Sequence, residues 1–297
     1  MEKIDKLKKI FKREKIDGYI VPKNDEFFGE YIPDHKDRLK YISNFSGSYG
    51  FALILKNKNY LFVDGRYTLQ ANKQSSNFFN IKTIPKCLPK NILRNKKLKI
   101  GFDSKLFTKR ILYIFFGKTN CNLIPLKENL IDKIWIRKNN KVKNKFYILP
   151  KNSVGESWKS KINKIISRLK KKGSDFQFIT ASENIAWLLN IRGKDTKYTP
   201  IPSGHVLIDQ KKNILFFCDL NKISSSFKKK FKKVKFVDIN YTGKILSKIN
   251  GKKFIIDKNT CSIYFEKIIL KGNKILNQND CIYYLKSIKT KKEIENI

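Results

Sequence analysis

Residues 41–71 read YISNFSGSYGFALILKNKNYLFVDGRYTLQA, and they carry the most informative pattern in the chain. Two apolar runs, residues 51–55 and 60–63, flank the polar segment 56–59. Short runs rich in aromatic and branched residues on either side of a polar turn are typical of a β-hairpin. The stretch therefore predicts two neighbouring strands, with a polar corner, Asp64-Gly65-Arg66-Tyr67, at the end of the second.

Of the short residue groups in the chain, the Asp64-Gly65-Arg66-Tyr67 corner is the most interesting candidate for ligand binding. A glycine between an acid and an arginine lets the backbone turn at a strand end, which places both side chains on one side. Arg66 then offers a fixed fork of donors to a peptide carboxylate or carbonyl. An Asp64–Arg66 ion pair or a helix cap accounts for the same spacing without any function, and both interpretations stay open.

The elements around the hairpin occur twice in the same order. Residues 98–116, LKIGFDSKLFTKRILYIFF, and residues 252–270, KKFIIDKNTCSIYFEKIIL, share one design. Each has basic residues, an apolar strand, an aspartate, a polar cap and a helix, and Asp103 or Ser104 is the expected cap in the first copy. The repetition predicts a duplicated α/β domain. Two generic α/β units without common origin would give the same pattern.

The second copy has its own recognisable elements. Residues 157–172 carry an apolar stripe at helical spacing, Ser182 is the expected cap of a helix over 183–189, and residues 205–208 and 214–218 predict a hairpin. Residues 127–153 are polar and are interpreted as an interdomain linker. The predicted boundaries are 1–126 for the first domain, 127–153 for the linker, 154–286 for the second domain and 287–297 for the start of a helix that leads into a further domain.

The composition is that of a folded chain without a membrane anchor. Hydrophobic residues make up 41% of the 297, too many for a disordered chain. No run approaches the roughly 18 consecutive apolar residues that cross a bilayer, and the charged first residues are unlike a secretory signal. The cysteines are scattered, form no CxxC pair and are expected to be reduced thiols of a cytoplasmic protein: Cys87, Cys121, Cys218, Cys261 and Cys281.

A formal charge of +40 raises the question of nucleic-acid binding. Lysine supplies nearly all of the excess, and it is accompanied by abundant Asn, Ile, Phe and Tyr, whose codons are also rich in A and T. A biased genome explains these residues together, whereas a phosphate-reading surface usually favours arginine. We therefore expect a solvated lysine surface without specific nucleic-acid binding. A functional anion-binding surface stays open as the alternative.

Residues for catalysis or metal binding are scarce. The sequence has two histidines, His35 and His205, and none of the HExxH, GxGxxG, P-loop and GxSxG motifs. His205 lies in an apolar run, so we expect it to be structural. The carboxylates of Asp34 and Asp37 would favour an imidazolium at His35, although a surface or hinge residue is the simpler interpretation. No catalytic residue and no metal ligand is assigned.

Seven segments, in order and at similar spacing, resemble the aminopeptidase P family of metal-dependent Xaa-Pro aminopeptidases. They are residues 30–32 with 37–38, 41–50, 63–71, 123–135, 155–161, 185–195 and 288–295. The resemblance implies an α/β fold of two tandem creatinase-like, ribonuclease H-like N-terminal domains, each a mixed sheet flanked by helices. It also implies that Arg66, in the segment 63–71, helps to bind the substrate peptide.

Members of that family carry a C-terminal pita-bread domain in which two Asp, one His and two Glu hold two divalent metals, usually manganese, that activate a water molecule. The resemblance does not place any of these ligands in this chain, so we expect the catalytic domain to be missing from it. The expected function is the non-catalytic N-terminal portion of a Xaa-Pro aminopeptidase, which gates substrate, supports assembly and is inactive alone.

The expected partners follow from the same resemblance. The first is a peptide with proline at its second position. The second is either another copy of this chain, in a homo-oligomer, or a separate catalytic chain. A membrane is not expected among the partners. A free-standing peptide- or protein-binding module that pairs with a separate catalytic chain is the first alternative. A basic RNA-associated protein, motivated by the net charge alone, is the second.

Overall fold

A computed structural model describes residues 2–137, 144–196 and 198–297. The chain divides into two compact units. The first unit consists of Met1–Glu26 with Ile32–Asn140, and the second consists of Phe27–Tyr31 with Lys141–Ile297. The polar run 138–143 of the predicted linker lies outside the described residues.

The first unit is a six-stranded mixed sheet with helices. Its strands are β1 (Gly18–Pro22), β2 (Gly50–Leu55), β3 (Asn59–Asp64), β4 (Asn80–Ile84), β5 (Lys99–Asp103) and β6 (Asn122–Leu126). Its helices are α1 (Glu2–Glu14), α2 (Arg38–Ser43), α3 (Thr68–Ser75), α4 (Pro89–Leu93), α5 (Lys109–Phe116) and α6 (Leu130–Ile134). The strand order is β4-β3-β2-β1-β5-β6. Strand β2 is antiparallel to both β1 and β3, and the other neighbouring strands are parallel to each other.

The second unit repeats this plan. Its strands are β7 (Tyr147–Ile148), β8 (Phe176–Ile179), β9 (Ile191–Arg192), β10 (His205–Asp209), β11 (Ile214–Cys218), β12 (Val234–Asp238), β13 (Lys253–Ile256) and β14 (Lys274–Ile275). Its helices are α7 (Trp158–Lys171), α8 (Ser182–Leu189), α9 (Ser225–Lys230), α10 (Thr242–Leu246), α11 (Ile263–Leu270), α12 (Cys281–Ser287) and α13 (Lys291–Glu295). The large sheet has the order β12-β11-β10-β8-β13-β14, and β7 pairs with β9.

The two large sheets have the same topology. In the second, β8, β10 and β11 are antiparallel neighbours, while β12 is parallel to β11 and β13 is parallel to both β8 and β14. Each of these pairings has a counterpart of the same direction in the first unit. The predicted α/β fold with two tandem mixed sheets is confirmed.

The hairpin of the opening sequence is also confirmed. Phe51 of β2 lies opposite Phe62 of β3, and their rings stack with centroids 4.6 Å apart. Every residue of β2 is buried, which matches its nearly continuous apolar run, because a strand covered on both faces has no polar side. The edge strand β4 was not predicted, since its residues are mostly half-exposed and its apolar pattern is weak.

Two predicted helix caps are wrong. Helix α5 begins at Lys109, and its cap is Thr108, whose Oγ1 accepts a hydrogen bond from the Ile111 N–H at 3.3 Å. Leu106 and Phe107 are fully buried, so the chain passes through the core after Asp103 before the helix starts. Ser182 lies inside the first turn of α8, where its hydroxyl has no hydrogen-bond partner within the described part of the chain.

Both ends of the predicted linker region contain ordered structure. In α6, Leu130 and Ile131 are fully buried in the core of the first unit. Trp135 stacks on Tyr41 at 4.7 Å, and the Tyr41 hydroxyl donates to the Ile134 carbonyl at 3.0 Å. The core of the first unit therefore extends beyond residue 126.

The last helix, α13, is packed against the second unit. Thr290 and Glu293 form a capping box, and the Trp187 indole donates from Nε1 to Glu293 Oε1 at 3.0 Å. At Gly155 a Cβ atom would lie 1.8 Å from the Thr290 Oγ1, so only glycine permits this close approach. Among the helices of the described residues, none combines the length and apolar character that a bilayer crossing demands.

Candidate functional site

The predicted corner lies at the carboxyl end of β3. Asp64 begins a 3-10 turn over Gly65–Tyr67, and its Oδ1 accepts a hydrogen bond from the Arg66 N–H at 2.9 Å. The expected role of Gly65 is wrong, because its backbone is not left-handed and a Cβ atom there would meet nothing within 4 Å. The aspartate side chain, through its bond to the backbone, defines this turn.

Arg66 and Asp64 form an ion pair on the surface. The Arg66 Nη2 lies 2.6 Å from Asp64 Oδ2, and Nε lies 3.2 Å from the same oxygen. The hydrogen bond from Arg66 holds the pKa of the Asp64 carboxyl below its usual range. The arginine side chain is still 74% exposed. Both structural alternatives, the ion pair and the cap, are thus present, and together they orient an accessible guanidinium.

The loop before β2 packs onto this corner. The hydroxyls of Ser48 and Tyr67 are 2.7 Å apart, and the Tyr67 ring meets the buried Phe45 ring edge-on at 5.9 Å. A Cβ atom at Gly47 would lie 2.3 Å from Phe45 Cζ and 3.0 Å from Tyr67 Cδ1. Glycine is therefore required at this position, and the loop and the corner form one continuous piece of surface.

We call this piece, formed by Ser48, Tyr49, Arg66, Tyr67 and Leu69, the corner surface. Tyr49 is 49% exposed and Leu69 is 87% exposed. Burial, with a contribution from the charge of Asp64, raises the pKa of Tyr49. Exposed tyrosine and arginine side chains on this loop and corner combine apolar contact area with directed donors, which suits recognition of a peptide or protein.

A small amide network, which the sequence did not predict, holds the loop in place. Gln70 and Gln74 of α3 donate from Nε2 to the Ser46 Oγ at 2.8 and 3.0 Å. The Ser46 N–H donates in turn to Gln74 Oε1 at 3.0 Å. The spacing of Gln70 and Gln74 was the sequence feature that could have indicated this network, because residues four positions apart lie on the same face of a helix.

The two histidines do not belong to this site. His205 opens β10, where it is buried with its ring 5.0 Å from Phe265 and 5.7 Å from Phe178, as expected for a structural residue. His35 lies in a 3-10 turn and is half-buried. Within residues 2–137, 144–196 and 198–297, no three His, Cys, Asp or Glu side chains come together to hold a metal.

The three buried cysteines are unreactive in their settings. None of the five forms a disulfide; Cys218, Cys261 and Cys281 are buried, while Cys87 and Cys121 are half-buried. Burial raises the pKa of Cys218 to about 12 and places that of Cys261 well above its usual range. Since the thiolate is the reactive form, the buried thiols are structural.

A charge cluster around one buried arginine lies in the first unit, and the sequence did not predict it. The Arg38 guanidinium, 5% exposed, donates to Asp132 from Nε at 2.8 Å and from Nη2 at 2.9 Å, and its Nη2 also donates to Glu26 at 2.8 Å. Burial opposes the ionised form of Glu26, but the charges of Lys36 and Arg38 outweigh it and hold its pKa well below the usual range. This cluster joins α2, α6 and the chain after β1.

A second buried cluster surrounds Asp280, the cap of α12. Its Oδ1 accepts from the Ile282 N–H at 2.8 Å and from the Gln177 amide, and its Oδ2 accepts from Asn184 at 3.1 Å. The Lys286 Nζ donates to the other side of the Asn184 amide at 2.7 Å. Burial raises the pKa of Asp280 to about 6. Asp280, Gln177 and Asn184 are buried and closed to a ligand, so the corner surface is the better candidate site.

Comparison with known proteins agrees with this architecture. The model for the Creatinase/Prolidase N-terminal domain matches residues 3–134, and a second model with the same description matches residues 137–293. The X-prolyl aminopeptidase of Caenorhabditis elegans, described as a cytosolic enzyme with a di-nuclear active site, superposes with a TM-score of 0.87 at 22% identity. That match covers 99% of this chain and 52% of the nematode chain, and it shows the common fold.

Curated relatives carry the same activity in their names. The chain is 34% identical to the Xaa-Pro aminopeptidase 1 of Dictyostelium discoideum, over 76% of this chain and 39% of the relative. It is 30% identical to the Xaa-Pro aminopeptidase ApepP of Drosophila melanogaster, over 94% of this chain and 48% of the relative. The chain thus spans less than half the length of these relatives. Since the two family models together account for both of its units, the chain belongs to the creatinase/prolidase N-terminal domain family.

Proposed function

We propose that residues 1–297 act as the N-terminal, non-catalytic portion of a cytoplasmic Xaa-Pro aminopeptidase, where they gate peptide access and support assembly. Both matched models are of N-terminal domains, and the named relatives are Xaa-Pro aminopeptidases at least twice as long as the matched part. In this proposal the two divalent metals, with manganese as the expected ion, are held by residues outside those described. The substrate is a peptide with proline at its second position.

The observation that carries the proposal is the fixed, exposed guanidinium of Arg66. Asp64 binds its Nε and Nη2 edge while the side chain stays 74% exposed. An exposed arginine normally loses side-chain entropy when it binds a ligand, and a pre-existing ion pair removes part of that cost. Arg66 is therefore suited to meet a peptide carbonyl or carboxylate with little further ordering.

The first test is turnover by the purified chain. We expect no release of the N-terminal residue from an Xaa-Pro peptide, with or without added manganese, because the described residues bring no metal ligands together. The full-length Dictyostelium relative, assayed in the same buffer, is the positive control. Metal-dependent turnover by residues 1–297 alone would contradict the non-catalytic assignment.

The second test is peptide binding by Arg66 variants. Arg66→Ala should weaken binding of an Xaa-Pro peptide about five- to tenfold, the effect of losing one exposed charge-assisted hydrogen bond. Arg66→Lys should recover part of the affinity, since lysine keeps the charge but not the planar fork. Arg94→Ala, at another exposed arginine of the first unit, is the matched control. Equal affinities of the Arg66→Ala and Arg94→Ala variants, measured by calorimetry, would remove Arg66 from the site.

A free-standing module that pairs with a separate catalytic chain, or with a second copy of itself, is the second candidate. The exposed Tyr49, whose pKa is raised in part by the charge of Asp64, favours it, because tyrosine commonly anchors protein interfaces. Turnover that arises only when residues 1–297 are mixed with a catalytic chain would support this candidate over the first.

A further inference from the structure

Six lysines of the second unit form a dense positive surface on a firmly anchored segment. Residues 227–235 read FKKKFKKVK. The lysines of this segment, here called the lysine surface, are all exposed: Lys228, Lys229, Lys230, Lys232, Lys233 and Lys235. The aromatic residues between them are buried: Phe227 is 4% exposed and Phe231 is 2% exposed. The Phe231 ring packs 5.1 Å from that of Trp158, so the backbone that carries the lysines is fixed by the core.

The charge of this surface is not neutralised locally. No acidic residue occurs between Asp219 and Asp238. In the part of the chain that the structure describes, none of the six lysines takes part in an ion pair. Six like charges within eight residues repel one another, and their mutual repulsion is relieved when a polyanion binds.

The first unit provides a comparison that tests whether codon bias explains these lysines. The stretch from the end of β3 to the end of β4, residues 65–84, has three basic residues: Arg66, Lys73 and Lys82. The topologically equivalent stretch of the second unit, residues 219–238, has seven lysines: Lys222 and the six of the lysine surface. One gene has one base composition, so a biased genome does not account for this difference between equivalent stretches.

We propose that the lysine surface binds the phosphate backbone of a nucleic-acid duplex without reading its sequence. Stable binding to a membrane usually needs an apolar insertion or a lipid anchor besides basic residues. Here the apolar side chains of residues 223–237 are buried or half-buried. Single-stranded nucleic acids usually bind by stacking their bases on exposed aromatic rings, whereas the rings of this segment are buried or half-buried. Lysines supply point charges for phosphates but no bidentate reading of bases.

The size of the surface suits such a ligand. Eight residues span at most about 25 Å even when extended. A duplex presents one phosphate charge per roughly 1.7 Å of its axis, so several phosphates lie within that length. The surface lies on the end of α9 and on β12, the edge strand of the sheet.

The test is the salt dependence of binding to a labelled duplex of about 20 base pairs, measured by fluorescence anisotropy between about 50 and 200 mM salt. A variant with all six lysines changed to glutamine should bind at least tenfold more weakly at the middle of this range. Its slope of log affinity against log salt should be smaller in magnitude by about 3–5, since each phosphate contact contributes about 0.9. A variant limited to Lys232→Gln, Lys233→Gln and Lys235→Gln should show about half of this change.

The matched control removes the same net charge elsewhere. It changes six exposed lysines of the first unit to glutamine: Lys9, Lys12, Lys90, Lys96, Lys97 and Lys118. We expect this control to keep most of the affinity and slope, with thermal melting to verify that every variant is folded. Equal losses in both variants would show that binding follows total charge and would overturn the proposal. Tighter binding to vesicles with anionic lipid, or to single strands, would also overturn it.

Discussion

Replacement of Arg38 by methionine is expected to lower the free energy of unfolding by about 2 kcal/mol, because it removes the buried guanidinium that bridges Glu26 and Asp132 and leaves each carboxylate with one half-exposed cation, Lys36 or Arg137. Two carboxylates, Glu26 and Asp132, would lose their shared guanidinium at 2.8–2.9 Å. Urea unfolding of the purified chain measures the change. Arg137→Met is the control: this arginine also contacts Asp132, but its side chain is 29% exposed and water can replace it.

Double variants separate the charge effect from packing. If the loss comes from the weakened pairing of the carboxylates, Arg38→Met combined with Glu26→Gln should recover about 1 kcal/mol relative to Arg38→Met alone. Arg38→Lys should fall between the wild type and Arg38→Met, since lysine keeps the charge but cannot bridge Glu26 and Asp132 with one fork. A loss below about 1 kcal/mol in Arg38→Met would show that the cluster is as weak as an exposed ion pair.

The second large expected effect is a dependence of stability on pH that comes from Asp280. Its pKa is about 6 in the folded chain and 3.8 as an isolated group. Between these values the folded state holds the proton more tightly, so unfolding releases it and a rise in pH favours the unfolded state. Asp280 therefore contributes a penalty that is absent below about pH 4 and complete above about pH 7, with a size of about 3 kcal/mol.

The surroundings of Asp280 support this sign. The Gln177 Oε1 is buried and has no hydrogen-bond partner within the described residues. A neutral Asp280 carries an O–H that could donate a hydrogen bond to that oxygen after the amide turns over. Asn184, Gln177 and the Ile282 N–H face the carboxyl, while Lys286 is held on the far side of the Asn184 amide and Asp257 adds a repulsive charge.

The measurement compares the wild type with Asp280→Asn at several pH values. Paired and depressed carboxylates elsewhere, such as Glu26 and Asp64, give the wild type an opposite trend of their own, and this trend cancels in the difference. Between pH 4 and pH 7, the unfolding free energy of the wild type should fall by about 3 kcal/mol relative to the variant. A difference that stays constant over this range would show that Asp280 has the same pKa in both states.

The local pattern of the sequence predicted the strands of the two sheets more reliably than the helix starts. The hairpin of β2 and β3 was clear because apolar runs and a polar turn are local features. The cap of α5 was missed because Leu106 and Phe107 are buried in the core before the helix begins. Their burial depends on tertiary contacts, which the local sequence does not show. The turn after β3 was predicted to depend on Gly65, but the Asp64 side chain forms it through its hydrogen bond to the backbone.

Local patterns were sufficient to predict two α/β units of one design and a polar corner at Asp64-Gly65-Arg66-Tyr67, because the periodicity of apolar residues and the chemistry of turns act over a few neighbouring positions. Which polar side chains meet depends on tertiary packing. Arg38 and Asp132 are 94 residues apart, and Gln177 and Asp280 are 103 apart. Contacts of that separation form only when the sheets and helices pack, since burial then makes an unpaired charge costly and fixes its partner.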